Sequence, residues 1–140
     1  MKTLYIVTGP PGAGKTTLAK EMIQRDNHLA VYDRDLRNKG EWRKSMDSCI
    51  LCTSAPSKRL KEYWAKEAVL VGFTPYIIVM YIDRWLAYDR MKARSGLKPT
   101  ERNDLEKDIE RWYKMYSPHP LEHRHEASLP ANELEERAQT

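Results

Sequence analysis

The sequence predicts a three-layer α/β/α fold around a small parallel sheet of about four strands. Three observations carry that prediction. The run Gly9-Pro10-Pro11-Gly12-Ala13-Gly14-Lys15-Thr16 joins a short apolar stretch, Leu4-Tyr5-Ile6-Val7, to a helical pattern. Four short apolar runs alternate with stretches of helical period, as expected of parallel strands covered on both faces. The chain has 140 residues, of which 41% are hydrophobic, enough for one domain of this kind and little more.

Residues 9–16 fit G-x-x-x-x-G-K-[ST] without a mismatch. Glycine lets the backbone wrap tightly, so that successive N–H groups and a helix N-terminus converge on phosphate oxygens. Gly9, Gly12, Ala13, Gly14, Lys15, Thr16 and Thr17 are therefore the candidate nucleotide-binding residues. Lys15 is placed to reach the β- and γ-phosphates and the Thr16 hydroxyl to ligate Mg²⁺. The expected ligand is ATP or another nucleoside triphosphate with Mg²⁺, on a P-loop NTPase fold of the nucleoside-kinase-like type. Leu18, Ala19, Met22 and Ile23 give the following helix one apolar face.

Leu29-Ala30-Val31-Tyr32 is the second strand, ending in Asp33-Arg34-Asp35 and followed by a basic stretch from Arg37 to Lys44. A third strand lies near 48–52. Thr53-Ser54-Ala55-Pro56 turns into a helix over 57–71, with Leu60, Trp64, Ala68 and Val71 inward and Gly72 as its stop. The fourth strand, Tyr76 to Tyr81, is apolar throughout and hence central. A helix from about 83 reaches Arg90 and Arg94, residues 95–100 form a hinge-like break, and a last helix covers 101–116. The domain is expected to close at 116. Residues 117–140, with three prolines and a balance of −3 that leaves +7 on the rest, are expected to be a flexible acidic tail with solvated histidines. Cys49 and Cys52 sit three apart on a strand and so face opposite ways, which suits two small buried hydrophobes better than a disulfide or shared metal.

Composition removes several classes. No apolar run approaches the ~20 residues of a membrane span, and no leader pattern precedes the first strand, so a cytoplasmic protein with no membrane partner is expected. The strand around Cys49-Ile50-Leu51-Cys52 carries no acidic end, which disfavours a helicase or motor.

A phosphate-binding loop fixes the donor and leaves the reaction open. A kinase also needs a group that orients the acceptor hydroxyl and cations that follow the moving phosphoryl. Such groups gather at the carboxyl edge of a parallel sheet. Asp33, Arg34, Asp35 and Arg37 are the first candidates. Arg90 and Arg94, four apart on one helix, are candidates for a lid over the phosphates. Trp42, among Arg37, Lys39, Arg43 and Lys44, has two readings. Either it stacks a base while the cations hold phosphates, or it packs a short helix onto the sheet.

Asp35 after strand two with a following arginine, the Thr53-Ser54-Ala55-Pro56 turn, the basic helix and the arginine-bearing lid together resemble the kinase module of phage-type polynucleotide 5′-kinases. The resemblance covers roughly residues 1–116. It implies that Lys15, Asp35 and Arg94 are catalytic, that Arg34, Asp35 and Arg37 hold the acceptor, and that the protein acts in a host cytoplasm if phage-encoded. Cys52-Thr53 replaces the family's acidic strand end, and the segment between strands two and three is shorter. Three function classes follow. The first is a nucleic-acid kinase acting on a polynucleotide 5′-hydroxyl or a modified-base hydroxyl, with DNA or RNA as partner and Trp42, Arg43 and Lys44 in its acceptor site. The second is a small-molecule or nucleotide kinase of the same fold. The third is an ATP-binding accessory subunit without transfer activity. The oligomeric state is left open.

Overall fold

The computed structural model describes residues 2–33, 41–94 and 96–126. Strand β1 (Thr3–Thr8) leads into helix α1 (Lys15–Arg25), then β2 (Ala30–Asp33), a 3₁₀ turn at Glu41–Lys44, β3 (Cys49–Thr53) and α2 (Lys58–Leu70). Then follow β4 (Thr74–Tyr81), α3 (Arg84–Ala93), α4 (Pro99–Met115) and β5 (Glu122–Glu126). All pairings are parallel, and the strand order is β2-β3-β1-β4-β5. This is a three-layer α/β/α fold with one strand more than the sequence predicts.

Alternation along each strand builds two cores. Leu4, Ile6, Cys49, Leu51, Ile77 and Val79 face α2, where they meet Trp64, Ala65 and Ala68. Val7, Ile50, Cys52 and Met80 face α1 and α3, against Ala19, Leu86, Ala87 and Met91. Cys49 and Cys52 thus fall in different cores, both free and buried. Burial pushes both thiols up, Cys52 to about 11 with Asp33 adding to the effect, so neither is a thiolate near neutral pH. Helix α4 bridges the two layers: Leu105 and Ile109 join the α1/α3 side, and Trp112, with Tyr116 just past the helix end, the α2 side.

The ends of α2 follow from its sequence. Ser57 caps it by accepting from Leu60 N–H at 3.1 Å. Gly72, at φ +91°, allows the closing bonds from Gly72 N–H to Val69 O and from Phe73 N–H to Ala68 O. The buried stripe of α2 is Lys61, Trp64, Ala65 and Ala68, so a lysine occupies a position that helical period reserves for an apolar residue.

Lys61 explains the fifth strand. Its side chain is 0% exposed, and its ammonium donates to Glu122 Oε1 at 2.6 Å and to Ser117 O at 2.7 Å. Glu122 also accepts from Tyr116 Oη at 2.6 Å and from His119 N–H. The buried carboxylate fixes β5 against β4, with Tyr76 stacked on His123 at 4.3 Å. The expected boundary at 116 and the flexible tail from 117 are corrected here: the sheet continues through Glu126. His119, expected in solvent, is 5% exposed, with Nε2 on Glu62 and Nδ1 accepting from Leu121 N–H. Among the described residues no cluster of acids, histidines and cysteines has a metal-site arrangement, and no helix is long and apolar enough to cross a membrane.

Burial raises the Glu122 pKa, but the bonds from Lys61, Tyr116 and His119 N–H outweigh it and hold the group below the usual carboxylate range. A depressed folded pKa gives stability that is fully present above the unfolded glutamate value of about 4.3 and is lost as pH falls through the folded one. Glu122→Ala strands the buried ammonium and is expected to cost about 3–5 kcal/mol in urea unfolding at pH 7. Replacing both partners (Lys61→Met with Glu122→Leu) should restore most of the loss. A single variant as stable as the parent would show that the pair is not a structural fastener.

Candidate active site

The loop between β1 and α1 sits at the carboxyl edge of the sheet. Gly14 caps α1 at φ +90° with no side-chain cap, which leaves the first N–H groups of the helix facing out of the loop. Gly12 has φ +82°, and a Cβ there would lie 3.5 Å from Ala87 O. Gly9 is constrained by space rather than by its dihedrals. A Cβ at Gly9 would meet Met80 Cβ at 3.0 Å, and Ala13 Cβ and Met80 O at 3.2 Å each. The loop therefore lies tight on the end of β4. Ala13 is fully buried beneath it, and Thr16 and Thr17 are exposed on the first turn of α1.

Two cations mark the loop. Lys15 Nζ donates to Gly9 O at 2.8 Å and so lies across the loop mouth. Arg90 Nη1 donates to Gly12 O at 3.2 Å, tying α3 to the loop backbone. Arg94 is the C-cap of α3, with extended backbone at φ −69° and ψ 119°. The expected helical pair is thus modified: Arg90 braces the loop from the helix, while Arg94 leaves the helix and lines the adjoining cleft.

That cleft has a volume of about 450 Å³. Its near wall is Pro11, Gly12 and Lys15, and its floor is the turn at Ser54 and Pro56 with Leu60 of α2. Asp108, Arg111, Trp112 and Met115 of α4 form the far wall. The turn is held from β1 by Thr8, whose hydroxyl donates to Ala55 O at 2.6 Å. The far wall is held by the Lys61 cluster. Ser117 N–H donates to Pro56 O at 3.1 Å, and Ser117 Oγ accepts from Lys58 N–H at 2.7 Å. Tyr116, whose hydroxyl binds Glu122, stacks on Trp112 at 5.1 Å. Asp108 and Arg111 escaped the sequence reading. A helical charge face is ordinarily solvated, and only the fold brings this one opposite the loop.

The structure separates Trp42, Arg43 and Lys44 from this site. Trp42 is fully buried among Trp64 and Phe73, at ring distances of 6.5 and 5.7 Å. Its indole has no room to stack a base, so the packing reading of Trp42 holds. Arg43 lies over Trp42 and bonds Glu67 at 3.3 Å. Lys44 is exposed beside Ser45, whose carbonyl accepts from Lys2, just ahead of β1. Trp42, Arg43 and Lys44 therefore stand at the amino edge of the sheet, opposite the loop, and their placement in an acceptor site is corrected. Arg34, Asp35, Arg37 and Lys39 lie outside the described residues. Asp33 ends β2 level with Cys52 on β3.

No protein-family model matches the chain, and no curated protein sequence matches it. Solved structures share its fold. A sugar kinase from a Janibacter species superposes at a TM-score of 0.66 with 16% identity, covering 99% of this chain and 92% of the other. A gluconokinase from Sinorhizobium meliloti gives 0.67 with 12% identity over 97% and 89%. A shikimate kinase from Bacteroides thetaiotaomicron gives 0.62 with 14% identity over 98% and 94%. The chain has the three-layer fold of P-loop kinases of this kind. These neighbours are described as kinases of small molecules, which overturns the resemblance to polynucleotide 5′-kinases, and with it the nucleic-acid kinase and the nucleic-acid partner.

The tight seat of the loop makes a direct prediction. Gly9→Ala is expected to lower unfolding stability by about 1–3 kcal/mol through overpacking against Met80. Thr17→Ala on the exposed turn should stay within about 0.5 kcal/mol. Equal denaturation midpoints for the two variants would show that the loop does not press on β4 as described.

Proposed function

We propose that this chain is an ATP-dependent phosphotransferase that moves a γ-phosphate onto a hydroxyl of a small molecule. The observation that carries this reading is the cleft opening directly from the loop, with Lys15 and Arg94 on the donor side and Asp108, Arg111 and Trp112 across from them. Its size suits a small molecule held within reach of the loop. The sugar, gluconate and shikimate kinases that share the fold support that acceptor class by analogy of fold.

The loop N–H groups and the α1 N-terminus would hold the β- and γ-phosphates. Lys15, whose ammonium lies across the loop mouth on Gly9 O, would turn to a phosphate oxygen, and Arg90 braces the loop at Gly12 O. The exposed Thr16 hydroxyl is a hard oxygen ligand on the first turn of α1, a fit for Mg²⁺ held jointly with the nucleotide. The ion, when bound, neutralises phosphate charge. Arg94 faces the cleft and supplies the cation that follows the phosphoryl group as charge spreads over its oxygens. The transition state of such transfers is loose, so aligning the acceptor hydroxyl matters more than removing its proton early. Asp35, two residues beyond the end of β2, is the carboxylate assigned to that alignment.

Transfer of label from γ-labelled ATP to small hydroxylated acceptors tests the reading. Lys15→Ala should remove Mg·ATP binding and turnover in a folded protein. Arg94→Ala should lower kcat by about 10²-fold with ATP affinity little changed. Asp35→Asn should abolish transfer and retain ATP binding. Full ATP affinity and turnover in Lys15→Ala would overturn the donor site. A loss confined to ATP affinity in Arg94→Ala would make that residue a ground-state nucleotide ligand.

A further inference from the structure

Resting on the phosphotransferase reading, we propose that the acceptor is a heterocyclic alcohol of the nucleoside class. Its flat ring lies on the apolar side of the cleft, and its ring edge pairs with Asp108 and Arg111. Once Lys15 and Arg94 are given to the phosphoryl group, the described residues left to hold an acceptor are mostly hydrocarbon. Pro56, Leu60, Leu105, Trp112 and Met115 line that part, against Ser54, Asp108 and Arg111 as polar partners. A sugar or linear polyol presents hydroxyls on every side, and each one buried without a partner costs about 1–3 kcal/mol. A flat ring instead gains from contact with the thioether and aliphatic groups that face the cleft.

The apolar wall is also rigid, because it is backed by Trp112, which is only 5% exposed and supports the wall from behind. Trp112 is clamped between Tyr113, edge-on at 5.1 Å, and Tyr116, stacked at 5.1 Å with planes 21° apart. Tyr116 is in turn fixed by its bond to the buried Glu122.

The two charged residues discriminate further. Asp108 and Arg111 are three apart on α4 and so lie side by side on one face. An ionised carboxylate only accepts hydrogen bonds and a guanidinium only donates them. Together they match a heterocycle edge that carries an N–H donor beside a carbonyl or ring-nitrogen acceptor. A sugar acid would suit Arg111 but would bring its carboxylate against Asp108, a like-charge contact. In the transfer the acceptor oxygen forms a bond to the γ-phosphorus and the bridging P–O bond to the β-phosphate breaks. ADP leaves with that electron pair, and the hydroxyl proton is released to solvent.

The test measures phosphomonoester formation from Mg·ATP with adenosine, guanosine, cytidine, uridine, glucose and gluconate, alongside Mg·ATP titrations of the parent, Lys15→Ala and Asp108→Asn proteins. At least one nucleoside should be phosphorylated with a KM about tenfold or more below those of glucose and gluconate. Asp108→Asn should raise that KM about tenfold, keep kcat within a few-fold, and leave Mg·ATP affinity as in the parent. Transfer to glucose or gluconate with the nucleosides inert overturns the inference and leaves the phosphotransferase reading standing. Loss of Mg·ATP affinity in Asp108→Asn would place the donor's base in the cleft and also overturn it. Transfer to none of the six overturns it as well. If Lys15→Ala then binds Mg·ATP as the parent does, the phosphotransferase reading falls with it.

Discussion

The buried Lys61–Glu122 pair is the constraint on which much of this structure depends. A lysine in the inner stripe of α2 is tolerable only if its charge is met, and the carboxylate that meets it belongs to a strand 61 residues later. The same carboxylate takes the Tyr116 hydroxyl, and the same ammonium takes Ser117 O. One ion pair thereby fixes the end of α4, the start of α2 and the fifth strand. These are the elements that carry the floor and far wall of the cleft. Such a pair adds little net stability over a hydrophobic isostere, yet removing one partner is costly. Its contribution is to geometry: it sets how far Trp112 and Met115 stand from the loop.

The loop is positioned by different means, from its own side of the sheet. Gly9 lets the backbone close to the end of β4, and Arg90 ties the loop carbonyl at Gly12 to α3. The loop and the far wall of the cleft are thus held independently, one by backbone contact and the other by buried charge. Between them stands Arg94, which leaves α3 at its C-cap and faces the cleft. A loop held rigidly and a cation at the end of a helix suit the proposed phosphoryl transfer, which is catalysed mainly by alignment and charge.

What could be read from the sequence was what short-range chemistry encodes. The loop's glycines, the apolar runs of β1, β3 and β4 and the caps of α2 all rest on contacts within a few residues, and each lies within a residue or two of its expected place. The fifth strand could not be read in this way. Glu122-His123-Arg124-His125-Glu126 has no apolar residue, and it is a strand because β4 offers an edge and Lys61 offers a charge. The two readings of Trp42 could not be told apart in sequence for a related reason. Its neighbours in sequence are cations, while its neighbours in space are Trp64 and Phe73, and only the return of the chain to the amino edge before β3 decides between them. Asp108 and Arg111 look like any solvated helical pair until the fold sets α4 opposite the loop. The nucleic-acid reading leaned on the basic stretch, whose described cations, Arg43 and Lys44, the fold places at the amino edge of the sheet, away from the loop.

The most direct test of the account is ³¹P NMR of the protein with Mg·ATP and a mixture of small hydroxylated acceptors. The account predicts a new phosphomonoester resonance that grows in step with ADP, because the γ-phosphoryl passes to a hydroxyl held in the cleft beside Lys15 and Arg94. ADP accompanied only by inorganic phosphate, at any acceptor concentration, would contradict it.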